Sequence, residues 1–172
     1  MTSHPPQNFS LSLPKKKNSI QMIVAGNEAV GLAAITAGCK FFVAYPMTPS
    51  SSLMHFMAEH GQKNGVVVKH AEDEISVINM AIGASYAGVR SMLGTAGGGF
   101  SLMVEGLGLA GITETPLVLM VGQRPGPATG MPTWTSQGDL HFVINASQDE
   151  FPRIVLAPGD VEEAFYLTFE AF

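Results

Sequence analysis

The chain has 172 residues, and its 9 lysines and arginines against 14 aspartates and glutamates leave a formal net charge of −5. This acidic balance argues against nucleic acid as the main partner, because phosphate binding requires a cationic surface. Hydrophobic residues make up 46% of the chain and charged residues 13%, a composition that excludes a disordered chain. The charged fraction is well below the roughly 25% usual in globular proteins. The length predicts one globular domain, and the shortage of charge predicts that part of its surface lies against another chain or a missing part of its own.

The N-terminal segment differs in character from the rest of the chain. Residues 1–19 are polar, contain Pro5 and Pro6, and lack the continuous apolar run of a signal peptide. We expect a flexible arm at 1–19 and a single domain at 20–172.

Cysteine content and apolar runs limit the other classes of protein. Cys39 is the only cysteine, so an internal disulfide is excluded, no zinc or iron–sulfur site is expected within the chain, and a reducing cytoplasm fits best. Residues 93–112 are apolar but contain Glu105 and seven glycines, which favours a core segment over a membrane span.

Short apolar runs alternate with helical patterns along the chain, which is typical of βα units, an α/β fold and a mainly parallel sheet. The predicted strands are residues 20–24, 41–45, 66–70, 90–94, 117–122 and 153–156. The predicted helices run from Asn27 to Gly38, Thr48 to Gly61, Glu72 to about Gly88, Phe100 to about Ile112, and onward from Asp160. Because no strand follows the last predicted helix, we expect a domain that is incomplete at its C-terminus.

In parallel sheets a ligand lies beyond the carboxyl ends of the strands, so the residues after each strand are the candidate site. These segments are GNE at 26–28, YPMTPS at 45–50, AEDE at 71–74, TAGGG at 95–99 and QRPGPATG at 123–130. We expect all five to converge on one edge.

Glu74 stands out among three consecutive acidic residues. On a helical wheel Glu72 shares a face with polar residues, whereas Glu74 falls beside Val77 and Ile78 on the core side. A carboxylate on an apolar face must be paired, bind a ligand or keep its proton. Glu74 is therefore either a functional group or a satisfied structural carboxylate.

Thr48, Arg124 and the glycine-rich segment each have two interpretations. Thr48 is a helix cap, and such a helix start could also bind a small carboxylate. Arg124 is either a solvated loop residue or, if near Thr48, a bidentate partner for that carboxylate. Gly97, Gly98 and Gly99 allow a ligand or another backbone to approach closely, but they spell no nucleotide-binding motif.

Several ordered motifs resemble one family. They are GNEA at 26–29, YPMTPSS at 45–51, EDE at 72–74, GASYAG at 83–88 and QRPGPATG at 123–130. They are similar to the alpha subunit of 2-oxoacid:ferredoxin (acceptor) oxidoreductases, from near Val24 to the chain end. The resemblance implies the thiamine diphosphate-binding fold, in which a mainly parallel sheet lies between two layers of helices in a three-layer αβα arrangement. Within that fold it implies the pyrimidine-binding domain.

The resemblance also implies a division of the chemistry between subunits. This domain would hold the aminopyrimidine end of thiamine diphosphate, with Glu74 sharing a proton with that ring and Gly97 and Gly98 beside it. A partner beta subunit would hold the diphosphate, its magnesium and an iron–sulfur cluster. Thr48 and Arg124 would contact the substrate carboxylate. Oxidative decarboxylation would then transfer the acyl group to coenzyme A and electrons to ferredoxin or flavodoxin, with no nucleic acid or membrane involved.

The sequence departs from the family pattern at several positions. Members commonly read Thr-Ser-Gly-Pro-Gly where this chain has TAGGG at 95–99, so Ala96 and Gly98 differ. Met47 replaces an isoleucine and Ser136 replaces an acidic residue. The change at 95–99 removes a hydroxyl and frees the loop, so it bears on cofactor affinity or substrate range rather than on the class of reaction.

Two rival hypotheses stay open on the sequence. One is a non-catalytic or regulatory domain that retains the fold without the reaction. The other is a different thiamine diphosphate enzyme, such as a decarboxylase or a transketolase relative, which would share the glutamate but is not expected to carry the 45–51 motif or Arg124 in this loop.

Overall fold

A computed structural model of the protein describes residues 22–172. The predicted arm at 1–19 and the first two residues of the predicted strand 20–24 lie outside this part of the chain. The remainder of that strand, residues 22–24, belongs to no strand, so the prediction is wrong for the part described.

Four strands and six α-helices alternate along residues 22–172. The strands are β1 (Phe41–Ala44), β2 (Val67–His70), β3 (Ser91–Ala96) and β4 (Val118–Gly122). The helices are α1 (Gly26–Thr36), α2 (Ser51–Phe56), α3 (Glu74–Tyr86), α4 (Gly97–Ile112), α5 (Leu140–Asn145) and α6 (Val161–Glu170). A π-helical turn, Met57–Gly61, and a 3-10 turn, Gln62–Asn64, continue α2 toward β2.

The strands form one parallel sheet in the order β2-β1-β3-β4. Phe41 lies opposite both Val67 and Ser91, and Met92 lies opposite Val118. Because every strand runs in the same direction, the four carboxyl ends share one edge. The predicted α/β fold with a parallel sheet is confirmed.

Helices cover both faces of the sheet. Alternate strand residues point to opposite faces: Phe42 and Met92 pack with α1, α2 and α6, whereas Val43 and Leu93 pack with α3 and α4. All four strand side chains are at most 1% exposed, and full burial of each contributes about 1.5–3 kcal/mol. The result is the three-layer αβα arrangement.

The predicted strand at 153–156 is absent from the structure. Arg153 Nη1 donates to the carbonyl oxygens of Val143 and Ala146, at 3.2 and 2.7 Å, and its guanidinium lies 4.2 Å from the ring centre of Phe151. These contacts tie the segment to the end of α5 rather than to β4, and Ile154 is left 89% exposed.

Helices α1, α2 and α4 start at residues other than the predicted ones. Ala25, not Asn27, precedes α1, and its N–H donates to Glu28 Oε2 at 2.7 Å. Ser50, not Thr48, precedes α2. The fourth helix starts at Gly97, three residues before the predicted Phe100.

The third and sixth helices begin with aspartate caps. Asp73 accepts a hydrogen bond from the Ser76 N–H at 2.7 Å, and this bond lowers the pKa of the Asp73 carboxyl. Asp160 accepts one from the Glu163 N–H at 2.8 Å. Helix α6 closes at Glu170, and Phe172 packs onto the apolar cluster beneath α1 and α2.

The helices found between residues 22 and 172 include none that combines the length and the apolar character needed to cross a bilayer.

Candidate active site

The segments that follow the strands meet at the carboxyl edge of the sheet. After β1, the turn at 47–50 contacts three of the other segments: Met47 Sδ accepts the Gly99 N–H at 3.1 Å. The Thr48 carbonyl accepts from Arg124 Nη1 at 2.6 Å, and the Pro49 carbonyl accepts from Asn27 Nδ2 at 2.8 Å. The turn after β1 is therefore the junction of the site.

Glu74 is the first residue of α3 and is 4% exposed. Its side chain faces the core with Val77 and Ile78, as the helical wheel predicts. Its Oε1 is buried, and no residue in the described part of the chain donates a hydrogen bond to it. Leaving such an atom unpaired costs about 1–3 kcal/mol. Because no group within residues 22–172 pairs with Oε1, the interpretation of Glu74 as a satisfied structural carboxylate fails for this oxygen.

Glu72 lies outside the helix and is exposed. Helix α3 begins two residues later than predicted because Asp73, rather than a residue before Glu72, caps it. The contrast between Glu72 and Glu74 predicted from the wheel nevertheless holds in the structure.

The start of α4 closes around the Glu74 carboxylate. A Cβ added to Gly99 would lie 2.7 Å from Glu74 Oε1 and would also overlap Thr95 Oγ1. Because carbon and oxygen cannot approach so closely, only glycine lets this carboxylate pack against the first turn of α4. Gly99 is thus the member of the glycine triplet that packs on Glu74, and the close approach predicted for the triplet occurs at this position.

Gly97 and Gly98 face the loop after β4 rather than Glu74. A Cβ on Gly97 would lie 2.6 Å from Asp139 Oδ2. One on Gly98 would lie 3.4 Å from the Ala128 carbonyl oxygen, which is an ordinary contact. Of these two glycines, only Gly97 makes a contact that an added Cβ would prevent.

Arg124 is 8% exposed, so it is not a solvated loop residue. Besides the bond from Nη1 to Thr48, its Nε is buried without an acceptor among residues 22–172. Thr48 is exposed, and the turn before α2 is closed by Ser50, whose hydroxyl donates to the Met47 carbonyl at 2.6 Å. The structure brings Thr48 and Arg124 together, but the predicted helix-capping role of Thr48 is wrong.

The edge thus combines one buried carboxylate oxygen, Glu74 Oε1, that lacks a donor with one buried guanidinium nitrogen, Arg124 Nε, that lacks an acceptor among residues 22–172. Such a pair suits a ligand, or two ligands, that present an N–H group to Glu74 and an anionic group to Arg124. Asn27, Met47 and Asp139 also belong to this edge. The sequence placed Met47 in a segment that follows a strand, but it gave no signal for Asp139, whose contact with Gly97 spans 42 residues.

Cys39 lies before β1, at the opposite edge of the sheet. Burial raises the pKa of its thiol to about 11, so the thiol stays protonated at neutral pH and is a poor nucleophile. Residues 22–172 contain no group of three histidine, cysteine, aspartate or glutamate side chains that could hold a metal ion.

Fold and site together define an α/β domain with a ligand edge at the strand carboxyl ends. A sequence model described as pyruvate flavodoxin/ferredoxin oxidoreductase, thiamine diphosphate-binding, matches residues 32–172. The chain belongs to this family, and it corresponds to the thiamine diphosphate-binding region of 2-oxoacid:ferredoxin oxidoreductase alpha subunits.

Two curated relatives illustrate the match. The chain is 51% identical over 150 residues to the 2-oxoglutarate synthase subunit KorA of Archaeoglobus fulgidus, covering 87% of this chain and 43% of that protein. It is 45% identical over 168 residues to the 2-oxoacid:ferredoxin oxidoreductase subunit alpha of Saccharolobus solfataricus, covering 90% and 27%. The chain therefore spans less than half the length of these relatives.

A solved structure shares the fold. The 2-oxoglutarate:ferredoxin oxidoreductase from Magnetococcus marinus, determined with 2-oxoglutarate, coenzyme A and succinyl-CoA bound, superimposes with a TM-score of 0.85 at 45% sequence identity. The similarity covers 87% of this chain and 26% of that one.

Proposed function

We propose that the chain forms the pyrimidine-binding part of an alpha subunit of a 2-oxoacid:ferredoxin oxidoreductase. The complete enzyme would oxidise and decarboxylate a 2-oxoacid, transfer the acyl group to coenzyme A, and pass two electrons to ferredoxin or flavodoxin. Membership of the family and the geometry of the strand-end site both support this function.

One observation carries the proposal: Glu74 Oε1 is buried against the first turn of α4 and has no donor among the described residues. The aminopyrimidine end of thiamine diphosphate fits this site, because a protonated ring nitrogen would supply the missing donor. Glu74 would hold a proton on that nitrogen, and the backbone at Gly97 and Gly98 would border the ring. When bound, thiamine diphosphate supplies the electron sink that decarboxylation of a 2-oxoacid needs.

Thr48 and Arg124 would orient the substrate carboxylate. The bond from Arg124 Nη1 to the Thr48 carbonyl fixes one side of the guanidinium, which keeps the planar group oriented before substrate arrives. Its unpaired Nε is the further donor that an acceptor could use. Because the guanidinium is already desolvated, pairing with a carboxylate recovers more free energy than it would at an exposed arginine.

The remaining machinery would come from a partner beta subunit, which we propose to hold the diphosphate, magnesium and an iron–sulfur cluster. The chain has a single cysteine, whereas such clusters are held by sets of cysteine thiolates. Large apolar side chains on α3 and α4 are exposed, including Tyr86 at 77% and Ile112 at 83%. Exposed apolar surface of this kind favours contact with another chain.

The proposal is tested in the complete enzyme, produced with its partner subunits and stripped of cofactor. Added thiamine diphosphate is followed by circular dichroism, and turnover by reduction of a viologen dye that depends on both a 2-oxoacid and coenzyme A. We expect saturable binding and turnover that requires the cofactor. Binding without turnover would favour the non-catalytic domain, and the absence of binding would refute the proposed function.

A further inference from the structure

We propose that Asp139 is a positioning residue that joins the loop carrying Arg124 to the start of α4. The effect that we expect Asp139 to have on the use of the 2-oxoacid rests on the proposed function. The contact itself stands on the geometry of Asp139, Gly97 and Gln123.

The Asp139 side chain does not act on its own helix. Asp139 immediately precedes α5, a place where aspartate usually caps, but its carboxylate makes no capping hydrogen bond there. The carboxylate instead lies against Gly97, where an added Cβ would lie 2.6 Å from Oδ2 and 2.9 Å from Oδ1. Oδ2 is buried and has no donor among residues 22–172.

Helix α4 lacks a cap of its own. Its first flanking residue is Ala96, whose side chain has no polar atom, and no side-chain hydrogen bond caps the helix. The Gly99 N–H reaches only the thioether of Met47, which is a weak acceptor. A carboxylate at a helix N-terminus is attracted by the helix dipole and the free N–H groups. Asp139 therefore supplies from a distant segment the negative charge that Ala96 does not.

The backbone of Asp139 holds the loop at its other end. The Asp139 N–H donates to Gln123 Oε1 at 3.2 Å, and Gln123 directly precedes Arg124. Arg124 in turn donates to the Thr48 carbonyl. A single residue thus links the N-terminus of α4, which packs on Glu74, to the arginine proposed to hold the substrate.

The two contacts of Asp139 predict different consequences when they are broken separately. Loss of its charge should loosen the first turn of α4 and the loop together. Loss of the Gln123 acceptor should free the loop while leaving the carboxylate beside Gly97. A new cap at position 96 should repair only the helix.

The experiment compares Asp139→Asn, Gln123→Leu and the double variant Ala96→Ser/Asp139→Asn in the complete enzyme. Asp149→Asn is the matched control, since it makes the same chemical change at an exposed residue. Three quantities are measured: KM and kcat for the 2-oxoacid, thiamine diphosphate affinity, and amide hydrogen exchange of a peptide covering the start of α4.

We expect Asp139→Asn to raise KM by about tenfold to a hundredfold, the range that misplacement of an orienting group causes. Thiamine diphosphate affinity should stay within about twofold, and exchange at the start of α4 should be about twofold to fivefold faster, as for loss of a favourable charge at a helix N-terminus. Ala96→Ser should restore the exchange but leave KM raised. Gln123→Leu should raise KM without changing the exchange, and Asp149→Asn should match the unmodified enzyme.

Unchanged KM in Gln123→Leu, or restoration of KM by Ala96→Ser, would overturn the linking role of Asp139. If Asp139→Asn prevents assembly, the Gln123→Leu result decides the same question. If the unmodified enzyme has no 2-oxoacid turnover, the proposed function fails by itself. The exchange measurement still tests the contact between Asp139 and α4, and unchanged exchange in Asp139→Asn would refute it.

Discussion

Replacement of Glu74 by glutamine is the sharpest test of the candidate site. The side chain is 4% exposed with an unpaired Oε1, and glutamine keeps its shape while removing its ability to hold and release a proton. We expect turnover to fall by at least the factor of about 10² attributed to a positioned acid–base group. That factor corresponds to about 2.7 kcal/mol in activation free energy.

Folding should be little affected, because the exchange of an oxygen for an amide group preserves volume and removes no hydrogen bond made within residues 22–172. The assay is cofactor-saturated, 2-oxoacid-dependent dye reduction by the complete enzyme, with the unfolding temperature measured beside it. Glu72→Gln is the matched control: this residue is exposed and outside α3, so we expect turnover and stability close to those of the unmodified enzyme. Equal losses in both variants would refute the assignment of Glu74 and the helical-wheel argument behind it.

Three further predictions concern the rest of the molecule. Arg124→Lys should raise KM for the 2-oxoacid while leaving thiamine diphosphate affinity near normal, because an ammonium group cannot reproduce the planar pair of donors of the guanidinium. A loss confined to cofactor affinity would show that Arg124 does not belong to the substrate site. Gly99→Ala should weaken thiamine diphosphate binding and lower the free energy of unfolding by about 1–3 kcal/mol, since the added Cβ would lie 2.7 Å from Glu74 Oε1. Calorimetric titration measures the binding and thermal melts measure the stability. Gly126→Ala is the control, because a Cβ at that position meets open space. Because burial raises the pKa of the Cys39 thiol from 9.0 to about 11, its stabilising contribution should be complete below pH 9 and decline as the pH rises toward 11. Alkylation at pH 8 should therefore be slow until denaturant is added, and rapid labelling of the folded protein would contradict the burial argument.

Much of the fold follows from short-range patterns in the sequence. The apolar runs at 41–45, 66–70, 90–94 and 117–122 each coincide with an observed strand to within two residues. Their alternation with helical patterns requires right-handed crossovers and a parallel sheet, so the shared carboxyl edge was predictable before any contact was known.

Pairing and helix starts were less predictable, for different reasons. The run at 153–156 has the composition of a strand, but strand formation requires a neighbour to accept its backbone hydrogen bonds. Arg153 ties the segment to α5 instead. Helix α4 begins within the glycine triplet despite the low helix propensity of glycine, because close packing against Glu74 and Asp139 requires the absence of a Cβ at Gly99 and Gly97.

The sequence by itself determined the burial of Glu74, because the 3.6-residue period places it among apolar neighbours within one helix. It also brought Thr48 and Arg124 to the same edge through strand direction alone. Only the tertiary structure decided that Arg124 is buried and bonded to the Thr48 carbonyl, that Met47 meets Gly99, and that Asp139 turns away from its own helix toward Gly97. These contacts join residues 42 to 76 positions apart, and no local periodicity encodes them because they depend on how whole elements pack.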